Sequence, residues 1–157
     1  MHDVPVFGVR IEDQTYVIRP SAYALVRNNA GDLAVVRTPQ GLFLPGGGSD
    51  AGETPEETAI RETSEECGLL VAPRAWLGKA VQILYSLEEE KYFEKICDFI
   101  EAGVVGTATA IEHDHELLWM DLKEAQTALS HESHRWADRL IRQAATSDGR
   151  SSNKPVF

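Results

Sequence analysis

The chain is poor in cysteine, with Cys67 and Cys97 alone among 157 residues. Two isolated thiols supply neither a disulfide framework nor a paired Cys-x-x-Cys metal site. Reduced cysteines packed as small hydrophobes are the simplest expectation. Long apolar runs are also missing: no stretch approaches the ~18 residues of a membrane span. The opening Met1-His2-Asp3-Val4 lacks the basic segment and apolar run of a secretory leader. These scarcities predict a soluble cytoplasmic protein with no membrane partner. Basic side chains are the third shortage, 15 Lys and Arg against 25 Asp and Glu, for a formal net charge of −10. That balance argues against duplex nucleic acid, whose binding rests on neutralising phosphates. It leaves a small nucleotide open as partner, because divalent cations can stand between an acidic protein and a polyanion.

What is present fits one compact domain: 43% of the residues are hydrophobic, enough for a single core. Residues 1–146 are expected to form that domain, and Ser147–Phe157, rich in Ser, Gly and Asn, a flexible C-terminal tail. Strand-like runs are Val4–Ile11, Thr15–Ile18, Ala22–Arg27, Leu33–Arg37, Trp76–Tyr85, Tyr92–Glu101 and Leu117–Met120, with a turn at Asn28–Gly31. Helical patterns cover Pro55–Cys67, Leu122–Leu129 and Ser133–Ala145. Strands outnumber helices, in an α+β order.

The chemistry concentrates between Gly46 and Leu69. Leu44-Pro45-Gly46-Gly47-Gly48 ends a strand in three glycines, where a ligand or cation can approach main chain. Thr54-Pro55-Glu56-Glu57 is a capping box: Thr54 is the N-cap, Pro55 the first helical residue, and Glu57 reaches back. Gly68 suits the left-handed position that ends the helix. Ala59, Ile60, Thr63 and Cys67 then share one side, whereas Glu62, Glu65 and Glu66 fall within an arc of about 100° on the other. Like charges at spacings of three and four repel by a few tenths of a kcal/mol per pair. A solvated acidic face is the plain reading of such a cluster. Glu53 adds a carboxylate just before the cap, however, and the glycine loop brings carbonyls to the same end of the helix. Oxygen ligands of this kind suit hard cations, so a divalent-cation site is the better hypothesis.

Gly47, five residues, Glu53, seven residues, then Arg61-Glu62-Thr63-Ser64-Glu65-Glu66-Cys67-Gly68-Leu69 resembles the Nudix box. Every fixed polar and glycine position is present; the one departure is Thr63, where the family usually has an aliphatic residue, and it bears on packing more than on chemistry. The resemblance implies the Nudix fold, a mixed β-sheet sandwiched between α-helices. It implies Glu62, Glu65 and Glu66 as principal metal carboxylates, the Gly46 carbonyl as a further ligand, Arg61 orienting a glutamate, and Mg²⁺ or Mn²⁺ as cofactor. The reaction it implies is hydrolysis of a phosphoanhydride bond in a nucleoside diphosphate linked to another group, by metal-activated water.

Outside the box, Glu112-His113-Asp114-His115-Glu116 precedes the strand containing Trp119. The resemblance makes Glu116 or Glu112 a general base or extra metal ligand, and the sequence does not choose between them. His113 and His115 read as incidental members of a polar loop, since no third spaced ligand suggests zinc. Of Arg19, Arg27, Arg37 and Lys79, only Arg37 stands out as a substrate-binding residue, because it leads into the glycine segment. Trp76, Tyr85, Tyr92 and Phe93 read as core aromatics, and His131 and His134 as members of a surface helix. The alternative to an enzyme is a non-catalytic Nudix-like nucleotide sensor; the intact set of glutamates weighs against it.

Overall fold

A computed structural model describes residues 3–151. The long strands β2 (Tyr16–Val26), β6 (Leu69–Ser86) and β7 (Lys91–Thr107) dominate it. With β1 (Val6–Phe7) and β5 (Gly46–Gly48) they form a five-stranded mixed sheet in the order β1-β6-β7-β2-β5. β2 runs parallel to β7, while β6 and β7 are antiparallel neighbours. A second, three-stranded antiparallel sheet takes β4 (Gly41–Phe43), β3 (Leu33–Thr38) and β8 (Glu116–Met120).

Each face of the large sheet is covered by helix. Ala22, Ala24, Val26, Ile100 and Ala102 meet Ala59 of α1 (Pro55–Cys67), and the small side chains let the helix lie close. On the opposite face Tyr23, Leu25, Cys97 and Phe99 pack with Ala125 of α2 (Leu122–Ala128) and with Ala137 and Ile141 of α3 (Glu132–Ser151). The α+β class and the helix-covered mixed sheet agree with expectation.

α1 has the expected bounds, because its stops are local. Thr54 Oγ1 accepts from the Glu57 N–H, the Glu57 carboxylate accepts from the Thr54 N–H, and Gly68 closes the helix at φ 68°. The strands depart further from their expected limits. Thr15–Ile18 and Ala22–Arg27 are one strand, since Pro20, although it lacks an N–H, still accepts from the Ser49 N–H and keeps its place in the ladder. The β6 and β7 hairpin is longer than expected at both ends, with bulges around Pro73 and Trp76 absorbing residues that break the alternating pattern. Of Val4–Ile11 only Val6–Phe7 pairs, and Val9 and Ile11 are exposed. α3 runs past Ala145 to Ser151, so the first part of the expected tail is helical; residues 152–157 lie outside the described residues. Among the described residues no helix is long and apolar enough to cross a membrane.

Thr63, the residue that departs from the family pattern, is fully buried on α1, and its Oγ1 has no hydrogen-bond partner. A buried unsatisfied hydroxyl carries a desolvation cost with no return. Thr63→Val is therefore expected to stabilise the fold by about 1 kcal/mol, read as a higher denaturation midpoint at unchanged slope. A midpoint equal to or below that of the native chain overturns this account.

Candidate active site

The glycine segment is itself a short edge strand against Ser21–Tyr23 of β2. Gly46 has φ 153°, and a Cβ there would fall 2.3 Å from Ala22 O and 2.4 Å from Tyr23 Cδ1, so a side chain would push β5 off the sheet. Lying flat, β5 meets α1: the Gly46 N–H donates to Glu66 Oε1 at 2.8 Å.

Arg61 organises the carboxylates around it. Its Nε and Nη2 grip Glu53 at 2.7 and 3.0 Å in a bidentate pair, Nη1 donates to Glu62 at 3.0 Å and to Glu65 at 3.3 Å, and Nη2 also reaches Gly48 O at 3.1 Å. The guanidinium hydrogen bonds, helped by the Asp50 N–H and the Thr58 hydroxyl, hold the Glu53 carboxyl down at about 2. Arg61 thus fixes three carboxylates where the sequence suggested one.

Glu66 is excluded from that clamp. Its side chain is 9% exposed, and burial, reinforced by Glu62 and Glu112, pushes its carboxyl up to about 9 against the opposing pull of the Gly46 N–H. Burial raises Glu62 as well, partly offset by Arg61. A second segment closes over Glu66. The Glu65 carbonyl accepts from the Ile111 and Glu112 N–H groups at 3.0 and 3.1 Å, and Gly68 O accepts from the Ala108 N–H at 2.9 Å. Thus pinned to the end of α1, the loop sets His115 Nε2 3.3 Å from Glu66 Oε2 and His115 Nδ1 2.8 Å from Asp114.

Of the two carboxylates left open by the sequence, Glu112 lines the cavity beside Glu66 and the glycines. Glu116 does not. It starts β8 directly opposite Arg37 on β3, and the two pair at 3.4 Å with side chains 62% and 59% exposed. Arg37, expected to face the cleft, and Glu116 pair with each other, and neither is among the residues that line this cavity. Arg19, Arg27 and Lys79 are likewise paired, with Glu89, Glu101 and Asp98.

The cavity has a volume of about 480 Å³ and two kinds of lining. One is acidic, with Glu66, Glu112 and Asp114 beside Gly46, Gly47 and His115; the other is aromatic and apolar, with Tyr23, Phe43, Leu84 and His131. His131 tilts against Phe43 at 4.9 Å, and burial lowers its pKa to about 4, so it is neutral at pH 7. His134, expected on a surface helix, is buried: its Nδ1 accepts from the Leu44 N–H at 3.1 Å and its ring lies 4.4 Å from that of Tyr23. His115, Phe43, His131 and Lys95 are cavity residues that the sequence reading missed. For Lys95 a signal existed: Phe93, Lys95, Cys97 and Phe99 alternate onto one strand face, and lysine is the odd member.

The donor set fits a hard divalent cation. Glu62 and Glu66 are desolvated acids crowded by further carboxylates, and Glu66 makes no ion pair with Arg61, so its charge lacks a permanent counterion. Glu62, Glu65, Glu66 and the Gly46 main chain, with Glu112 nearby, are the groups that would hold the ion.

A family model described as NUDIX domain matches residues 17–143. The chain is similar to the 8-oxo-dGTP diphosphatase of Haemophilus influenzae, with 36% identity over 78 residues, covering 46% of this chain and 57% of that one. A 26-residue segment is 69% identical to the Putative 8-oxo-dGTP diphosphatase 3 of Mycobacterium tuberculosis, covering 17% of this chain and 12% of that one. The chain thus spans less than two thirds of the length of either relative. Among solved structures, the MutT protein of Methanosarcina mazei Go1 superposes with a TM-score of 0.65 at 24% identity, over 86% of this chain and 99% of that one. A NUDIX hydrolase from Nitrosomonas europaea gives 0.65 at 15% identity, over 82% and 90%.

Without metal, the Glu66 carboxyl is protonated at pH 7 in the folded state and ionised in the unfolded chain, whose reference value is 4.5. The raised folded value means that this group's contribution to stability is full below about 4.5 and is lost as pH rises through about 9. Metal-free protein is therefore expected to lose melting temperature between pH 5 and pH 9, and Glu66→Gln to flatten that slope and to be the more stable chain at the alkaline end. Thermal melts in EDTA across that range test this; parallel curves for the two proteins contradict it.

Proposed function

Because the chain belongs to the NUDIX family, we propose that it hydrolyses a phosphoanhydride bond in a nucleoside diphosphate linked to another group, using Mg²⁺ or Mn²⁺. The observation that carries this reading is the buried Glu66, outside the Arg61 clamp and beside Glu62 and Glu65, facing a cavity whose other wall is aromatic. A divalent cation bound there would supply positive charge to the phosphate oxygens and lower the pKa of a water molecule.

The chain's own residues then divide the remaining work. Glu62, Glu65 and Glu66 hold the ion. Arg61 keeps Glu62 and Glu65 at fixed positions, so little reorganisation is left for the reaction itself. Glu112, in the cavity and half exposed, accepts the proton released from the attacking water, and His115 holds the loop carboxylates against Glu66. Phe43 and His131 offer aromatic rings to the nucleoside portion.

Glu65→Gln and Glu66→Gln are each expected to lower turnover on the order of 100-fold or more while the fold persists. Glu57→Gln is the control, because glutamine also serves the capping box. Turnover should vanish in EDTA and return with Mg²⁺ or Mn²⁺. The assay panel includes 8-oxo-dGTP, for which the Haemophilus influenzae relative is named, alongside nucleoside triphosphates, nucleotide sugars, ADP-ribose and dinucleoside polyphosphates. Wild-type rates in either variant on every accepted substrate, or full activity after exhaustive metal removal, overturn the assignment. Tight nucleotide binding with no hydrolysis across the panel replaces it with the sensor reading.

A further inference from the structure

Lys95 is the odd member of its strand face. It sits on β7, an interior strand between β6 and β2, on the face that carries Phe93, Cys97 and Phe99 into the core. Burial lowers its ammonium from the ordinary lysine range, with Arg19 adding to the effect. Among the described residues its ammonium makes no hydrogen bond and no ion pair, and the Phe93 ring lies 6.0 Å from Nζ to centroid. Several cations nearby are given carboxylates: Arg19 has Glu89, Arg27 has Glu101, Lys79 has Asp98. Leaving a largely desolvated ammonium without a partner costs stability. A methionine in its place would fill the same volume without that cost.

What Lys95 gains is its position. It is the one Lys or Arg among the cavity's described lining residues, and its charge is felt at both His131 and Glu62. It therefore stands between the aromatic wall and the acidic helix. An ammonium donates three hydrogen bonds and accepts none. Next to aromatic rings, that selects a heterocycle presenting a carbonyl oxygen over one presenting an amino group at the same ring position.

We propose that Lys95 is the specificity-determining residue of the cavity, donating from Nζ to the ring oxo group of a nucleobase stacked beside Phe43 and His131, and so favouring oxo bases over their amino counterparts. This deepens the nucleotide reading above and rests on it for the class of ligand.

The test is calorimetric binding of IMP, AMP, UMP and CMP to the full chain with Mg²⁺ present. IMP and AMP differ essentially by an oxo-for-amino exchange on the same ring, as do UMP and CMP. At least one pair should favour the oxo member by roughly 10-fold or more, the worth of one hydrogen bond to a charged donor. Lys95→Met should reduce that preference to within about 2-fold, by weakening the oxo member alone, while the melting temperature stays the same or rises. If the Met variant fails to fold, Lys95→Gln serves, because an amide can both donate and accept and must narrow the preference. Three results overturn the proposal: no oxo preference in the native chain, a preference that survives both substitutions, or equal weakening of all four ligands, which assigns the ammonium to phosphate instead. Loss of hydrolysis across the whole substrate panel with the Lys95-dependent preference intact would overturn the hydrolase reading and leave this one standing.

Discussion

The site depends on one cation that the fold sets among its carboxylates. Arg61 is that cation. Its five donors form a planar fork, and nearly every tine is used: Glu53 bidentately, Glu62 and Glu65 from one nitrogen, and the Gly48 carbonyl. These partners come from β5, from the loop after it and from α1, so the guanidinium ties the glycine strand to the acidic helix as well as offsetting charge. Lysine would supply the charge without the fork. The mutual repulsion of Glu62, Glu65 and Glu66 along the helix is thereby reduced, though not removed, because Glu66 lies outside the clamp.

Glu66 is held by other means. One oxygen accepts the Gly46 N–H, the other faces His115, and the loop bearing His115 is anchored on carbonyls at the end of α1. The helix therefore contributes its side chains on one face and its terminal carbonyls as mooring points. That double use explains why Glu112 reaches the cavity and Glu116, four residues on, does not. The chain between them leaves the mooring and enters β8, where its pairing with β3 dictates which way each side chain points.

α1 was legible to the residue because everything that fixes it is local: Thr54 and Glu57 cap each other, Pro55 starts the first turn, Gly68 ends the last. The box around it was legible because the spacing of Glu53, Arg61, Glu62, Glu65 and Glu66 is a property of one helix and the loop before it. Residues brought together across strands were not. Phe43 and His131 meet through the packing of β4 against the start of α3, and His134 enters the core because its ring accepts the Leu44 N–H, a partner ninety positions away. Arg37 looked close to the glycines along the chain, yet an antiparallel register gave it to Glu116. Sequence proximity carried no information about which face of the strand it occupied.

The cavity collects two departures from ordinary burial, and they are opposite in kind. Glu66 is a buried acid faced only by His115, and Lys95 a half-buried ammonium without an ion pair. A fold selected for stability alone would bring them together or replace both with apolar side chains. Here they are kept apart: Glu66 belongs to the helix on one face of the sheet, whereas Lys95 lies on the strand face whose Cys97 and Phe99 pack under α3. Local choices that conflict with the fold mark the places where function outweighs stability. An acid and an ammonium at different walls of one cavity of about 480 Å³ are the complement of a ligand that is itself polar at both ends, with a cation-bridged anionic group toward Glu66 and an electron-rich acceptor toward Lys95.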